Sequence, residues 1–169
     1  GRAAEVTLKD TAARRIGDVS LLEQPLAAAI LAVCADALGV MEKAVELTTD
    51  YLKTRKQFGV PIGKFQVLQH RMVDMQTELE QATSMAILAA TFADGEDNDE
   101  RSRIIAAAKY ICARAARKVA EEAIQLHGGI GMTWEYNLAH HAKRLVMIAH
   151  QFGDDDHHLK AYAKLMQVA

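Results

Sequence analysis

Phe65-Gln-Val-Leu68-Gln-His-Arg-Met72-Val-Asp-Met75-Gln-Thr-Glu-Leu79-Glu-Gln-Ala82-Thr-Ser-Met-Ala86-Ile-Leu-Ala89 places apolar side chains at 65, 68, 72, 75, 79, 82, 86 and 89. Steps alternating three and four put all eight on one face of a long α-helix. Such a stripe, sustained over seven turns, packs at a shallow angle against neighbouring helices, as in a four-helix bundle.

The same spacing appears upstream. Leu31, Cys34, Leu38, Met41, Val45 and Leu52 keep it, with only Thr48 out of pattern. Ser20-Leu21-Leu22-Glu23 fits a capping box and Pro25 suits a first turn, so a helix should begin in this region. Gly59, Pro61 and Gly63 end it. Downstream, Asp94-Gly95 is a stop signal, and the acidic stretch 96–100 favours the N-terminus of a third helix. Ile105, Ala108, Cys112, Ala115, Val119 and Leu126 form that helix's inward face, and Gly128-Gly129-Ile130-Gly131 closes it. The spacing predicts helices over 26–56, 65–94, 101–126, 135–152 and 155–168, an all-α fold built as an antiparallel four-helix-bundle-like domain. Its alanines suit the helix at 101–126 to close approach in an assembly contact.

Composition agrees with a packed helical domain. The 169 residues are 50% hydrophobic and 25% charged, with two prolines. That balance is too apolar for disorder. A net charge of -2 without a basic cluster argues against nucleic-acid binding. Read by eye, no apolar run approaches the roughly 20 residues of a bilayer span. No secretory signal opens the sequence, so a cytoplasmic location is the expectation. Cys34 and Cys112 read as buried, reduced thiols. Val6-Thr7-Leu8 is strand-like, and 1–22 is expected to be the tail of a preceding β domain plus a linker, with the helical bundle domain at 23–169.

Two stretches carry more specific information: Tyr51-Leu-Lys-Thr-Arg55-Lys-Gln57-Phe58-Gly59-Val-Pro61-Ile62-Gly-Lys-Phe65-Gln66, and Ala123-Ile-Gln125-Leu-His127-Gly128-Gly129-Ile-Gly131-Met-Thr-Trp-Glu135-Tyr136. Together they resemble the signature of acyl-CoA dehydrogenases, and the similarity runs from about Ala27 to Gly153. The resemblance implies the C-terminal helical domain of a flavoenzyme that desaturates an acyl-CoA thioester. It implies FAD as cofactor, a tetramer, and an electron-accepting flavoprotein as partner. The cofactor contacts it implies are Arg55, Gln57, Phe58, Gln125, Gly128 and Gly129. A guanidinium at a helix end can fork onto pyrophosphate, a glutamine amide can bond diphosphate or adenine, and two glycines let backbone approach a ligand. The Gly-x-Gly here follows a helix, not a strand, which excludes a dinucleotide-binding βαβ fold.

The family's glutamate base is missing. Counting from Gly128-Gly129, its usual place is Phe152, and the family's threonine after the following glycine is Asp154. The alternative place early in the first helix is Ala29, beside Ile30. None of these side chains but Asp154 can take a proton. Three readings stay open. In the preferred one, the chain is the non-catalytic subunit of a heteromeric α2β2 actinobacterial-type enzyme, a group that includes steroid side-chain degraders. In the second, Asp154, Asp155 or Asp156 is a relocated base. In the third, the chain is a non-enzymatic scaffold. Asp154-Asp155-Asp156-His157-His158 also resembles metal-ligand material, but helix-initiating aspartates are the simpler account. His140 and His141 read as surface and packing residues. No metal is expected.

Overall fold

The first helix, α1 (Glu23–Thr54), runs for 32 residues, about 48 Å at 1.5 Å per residue. In the computed structural model, which describes residues 4–93 and 99–167, it is entered through a 3-10 turn at Val19–Leu22. The Asp18 carboxylate caps that turn by accepting from the Val19 N–H at 2.6 Å. The capping box expected at Ser20 does not form: the N-cap of α1 is Leu22, with no side-chain cap bond. The 3-10 turn already occupies the residues that a box would need in extended conformation.

A two-stranded antiparallel hairpin follows, β1 (Lys56–Gln57) and β2 (Val60–Pro61). Then come α2 (Gln66–Thr91), α3 (Asp99–His127), a 3-10 turn over Gly128–Met132, α4 (Asn137–His150) and α5 (Asp155–Met166). The five helices are those the periodicity predicts, with ends shifted by up to three residues. The stop expected at Asp94-Gly95 lies outside the described residues. Residues 4–8 carry no strand, so the strand-like Val6-Thr7-Leu8 does not pair here.

Helix α3 is the hub. It packs against α1, α2, α4 and α5, and Ile105, Ala108, Cys112, Ala115, Val119 and Leu126 are all buried, as the stripe predicts. Ala106, Ala113, Ala116, Ala120 and Ala123 are buried as well. The alanines of α3 are therefore spent inside the bundle, not at an assembly contact, and small side chains on every side let four helices approach one axis. The core of α1 is rotated slightly from its expected stripe: Ile30, Cys34, Ala37, Met41, Ala44, Thr48 and Leu52 are buried, while Leu31, Leu38 and Val45 are half-buried. The Thr48 hydroxyl joins the core by donating to the Ala44 carbonyl at 2.7 Å.

One composition-level expectation is corrected. The Val19–Thr54 segment is, by length and composition, apolar enough to cross a bilayer, with a mean hydropathy of 1.7 over 18 residues. Asp36 interrupts the run to the eye but not on average. In the fold, the Cys34, Ala37, Met41 and Ala44 line of this helix is fully buried within the bundle.

Ion pairs tie the helices together at their rims. Arg71 of α2 holds Glu122 of α3 at 2.6 Å, and Lys118 holds the same carboxylate at 3.2 Å. Both cations, Arg71 first, keep the Glu122 carboxyl below the usual carboxylate range. Arg144 of α4 clasps Asp36 of α1. Below these, the Lys109 ammonium is buried and donates to the carbonyls of Ile148, Ala149 and Gly153 at 3.0–3.3 Å. Ile148 and Ala149 belong to the last turn of α4, where the Ile148 carbonyl also accepts from the Gln151 N–H at 3.1 Å, and Gly153 lies just beyond the helix. Burial pushes the Lys109 pKa down.

Candidate functional site

Helices α1 and α3 end side by side, and the hairpin and the glycine turn fold over their ends. Helix α1 stops at Thr54 because Arg55 goes extended. Its carbonyl then accepts from the Ile62 N–H at 2.8 Å, which closes the hairpin onto the helix. Phe58 (φ 55°) and Gly59 (φ 80°) are both left-handed, as a two-residue type I′ turn requires. Helix α3 stops at His127 because Gly128 turns left-handed, with φ 65°.

Between these ends lies an open cleft of about 490 Å³. It is lined by Tyr51, Arg55, Gln57, Gln125, His127 and the backbone of Gly128 and Gly129. Five of the six sequence-predicted contacts, 70 residues apart in the chain, thus meet in one place. Phe58 does not join them. It sits at the hairpin tip, 86% exposed, with its ring edge-on to Phe65 at 6.0 Å, because a type I′ turn throws its first residue outward. Arg55 and Gln57 are exposed, and neither makes a side-chain hydrogen bond or ion pair among the described residues. A β carbon on Gly128 or Gly129 would meet nothing within 4 Å, so the floor of the cleft is open backbone.

Two lining residues were given no role in the sequence reading. Tyr51 lies one helical turn before Arg55 and shares its face. Its ring stacks on His127 at 4.4 Å and 24°, and Tyr136 lies beside both, tilted against the imidazole at 5.2 Å and edge-on to Tyr51 at 6.4 Å. His127 is 4% exposed. Its Nδ1 lies 2.8 Å from the Ala123 carbonyl, and a carbonyl only accepts, so Nδ1 carries the proton. That leaves Nε2 a bare acceptor. It is buried and has no hydrogen-bond partner among the described residues.

The base positions lie elsewhere. Phe152 is left-handed (φ 57°) and half-exposed in the corner between α4 and α5, its carbonyl accepting from His158 Nε2–H at 2.9 Å. Ala29 and Ile30 lie on the first turns of α1, Ile30 in the core. Asp154 and Asp155 are engaged in structural work. Asp154 caps α5 by accepting from the His157 N–H at 2.9 Å, which lowers its pKa. Asp155 pairs with Arg117 of α3 at 3.2 Å. Among the described residues there is no cluster of three His, Cys, Asp or Glu side chains arranged to hold a metal ion. Cys34 and Cys112 are free and buried.

Burial pushes both His127 and His158 below the ordinary histidine pKa of 6.5. Above pH 6.5 both are neutral, folded or unfolded, and carry no penalty. Below it the unfolded chain takes up protons that the folded one refuses, so stability falls from pH 6.5 downward until the lowered folded values are passed. Thermal unfolding followed from about pH 8 to about pH 5 should show the midpoint falling below 6.5. A midpoint that holds or rises over that range would contradict the burial of the two rings.

The chain is an all-α bundle whose two helix ends frame a cleft lined by an arginine, two glutamines and bare glycine backbone. The family follows from the chain itself: residues 19–166 match the acyl-CoA dehydrogenase C-terminal domain, and the chain belongs to that family. It is similar to the acyl-CoA dehydrogenase IpdE2 of Mycobacterium tuberculosis, 41% identical over 118 residues, covering 69% of this chain and 34% of that protein. In solved structures the fold resembles the ChsE4–ChsE5 complex of Mycobacterium tuberculosis, with TM-score 0.86 and 24% identity over 94% of this chain and 43% of that one. It also resembles a variant of the Tcur3481–Tcur3483 steroid ACAD, with TM-score 0.80 and 29% identity over 85% of this chain and 39% of that one. The chain spans about a third of the length of the first curated relatives it matches.

Members of the family bind FAD, and the residues of the cleft suit its diphosphate end. Both α1 and α3 direct their C-termini here, and a helix C-terminus carries partial negative charge. A diphosphate would therefore find no help from helix dipoles, and Arg55 is the cation that would meet it. Gln57 and Gln125 supply amide donors and acceptors, and the Gly128-Gly129 backbone leaves room for close approach.

Proposed function

We propose that this chain is the C-terminal domain of an acyl-CoA dehydrogenase subunit that holds the adenosine diphosphate end of FAD and supplies assembly surface, while the proton-abstracting carboxylate comes from a homologous chain. The observation that carries this reading is the pairing of an intact cleft with empty base positions. Arg55, Gln57, Gln125, Gly128 and Gly129 converge, whereas Phe152 and Ala29 offer no proton acceptor. Bound FAD supplies the hydride acceptor for desaturation of an acyl-CoA thioester. This chain's own part is to grip and orient: Arg55 neutralises phosphate charge, Gln57 and Gln125 fix the nucleotide's rotation, and the glycines admit it.

The structure favours this reading over a relocated base. Asp154 and Asp155 are both committed to the entry of α5, one as cap and one as ion-pair partner. The name of the Tcur3481–Tcur3483 steroid ACAD joins two chains, which is the kind of assembly the reading requires. An α2β2 tetramer, a cytoplasmic location and an electron-accepting flavoprotein complete the proposal. Residues 1–22 would then connect the bundle to a β domain. Native mass spectrometry of the purified protein should find a second, homologous polypeptide in stoichiometric amount with FAD. A flavin-free monomer would instead favour a helical scaffold.

A further inference from the structure

The orphaned nitrogen of His127 is a buried polar atom beside the cleft without a hydrogen-bond partner among the described residues. Its partner Nδ1–H is committed to the Ala123 carbonyl, so Nε2 can only accept. A buried acceptor left unpaired costs about 1–3 kcal/mol, and the fold goes to some length to keep this one in place. The imidazole stacks on Tyr51 at 4.4 Å and meets the tilted Tyr136 ring at 5.2 Å, which holds the ring in place, while the Ala123 carbonyl fixes its tautomer. Arg55 and the glutamine N–H groups are the donors suited to phosphate, and His127 Nε2 joins the glutamine carbonyls as an acceptor among the residues that line the cleft.

Resting on the flavin reading above, we propose that His127 is a nucleotide-selecting residue: its Nε2 accepts a hydrogen bond from a hydroxyl or exocyclic amine on the adenosine half of the dinucleotide held by Arg55. Phosphate oxygens and ring nitrogens of adenine cannot serve, because they have no proton to give. The ribose hydroxyls and the adenine amine can. The cleft would then recognise both halves of a nucleotide, charge through Arg55 and a sugar or base donor through His127. An inorganic diphosphate would engage only the first.

The test uses the intact, assembled protein stripped of flavin, with retention of added dinucleotide read by flavin fluorescence and equilibrium dialysis. The probes are FAD and three analogues, each lacking one donor: the adenine amine, the ribose 2′-hydroxyl or the ribose 3′-hydroxyl. One analogue should bind roughly tenfold more weakly than FAD to the unmodified protein. His127→Phe preserves the stacked ring and removes the acceptor. It should bind FAD several-fold more weakly and lose the discrimination against that analogue. If the unmodified protein binds all four probes alike, the inference is overturned, and that arm decides even if His127→Phe does not assemble. If His127→Phe assembles and still discriminates as the unmodified protein does, it is overturned too. Arg55→Ala, run in parallel, separates the two levels. A loss of FAD in Arg55→Ala with no effect in His127→Phe sinks only this inference. No effect in either variant sinks the flavin reading itself.

Discussion

Acyl-CoA desaturation is expected to be absent from this polypeptide alone and to appear only with a homologous partner that carries glutamate or aspartate at the position matching Phe152 or Ala29. General-base catalysis needs a titratable group within hydrogen-bond reach of the proton it removes and contributes about 10²–10⁴-fold in rate. A phenyl ring at 152 and a methyl at 29 contribute none. The aspartates after Gly153 provide the control. Asparagine at 154 keeps an oxygen able to cap α5, and loss of the rim pair between Asp155 and Arg117, 3.2 Å apart, costs at most about 1 kcal/mol. Replacing Asp154, Asp155 and Asp156 together by asparagine should therefore leave assembly and turnover of the complex in place. If turnover disappears while flavin content and assembly stay normal, the base lies in this chain and the subunit reading is wrong.

Arg55→Ala should be the most damaging single change to flavin retention. A charge-assisted contact to phosphate contributes about 1.5–3 kcal/mol, or roughly ten- to 150-fold in affinity. The local fields push the value toward the upper end, since the negative ends of α1 and α3 both face the cleft and Arg55 is the lining cation. The guanidinium is exposed and bonds no neighbour among the described residues, so the substitution removes little from the fold. Melting temperature should stay close to that of the parent while FAD is lost on dialysis. Unchanged flavin occupancy would remove Arg55 from the site.

Much of the architecture was legible because long helices repeat their signal. The stripe from Phe65 to Ala89 and that from Ile105 to Leu126 state their inward faces many times over, and Met75, Leu79 and Ala82 are buried accordingly. In α1 Cys34, Met41 and Leu52 were read correctly, but Leu38 and Val45 were taken in place of the buried Ala37 and Ala44 because large side chains were weighted above small ones. The hairpin was not legible, since a phenylalanine in left-handed conformation at Phe58 leaves no trace in composition. In the cleft, the polar contacts were found by their motifs. Tyr51 and His127 were not, because stacking and an orphaned nitrogen are products of three-dimensional convergence. The helical spacing of Tyr51 and Arg55 was the one available hint.

Lys109 also bears on how the molecule opens. One ammonium rooted in the middle of α3 holds the end of α4 and the approach to α5 by three carbonyls. Connecting corners usually open first, at little free energy, while core helices open only with the whole molecule. Here, opening residues 148–153 would strand a buried charge beside Ala149 or require it to lose its proton. The corner that carries Phe152 is thereby enrolled in the same cooperative unit as the hub helix. Its amides should exchange with solvent on the slow schedule of the core, so the shape of this surface is fixed by the fold itself.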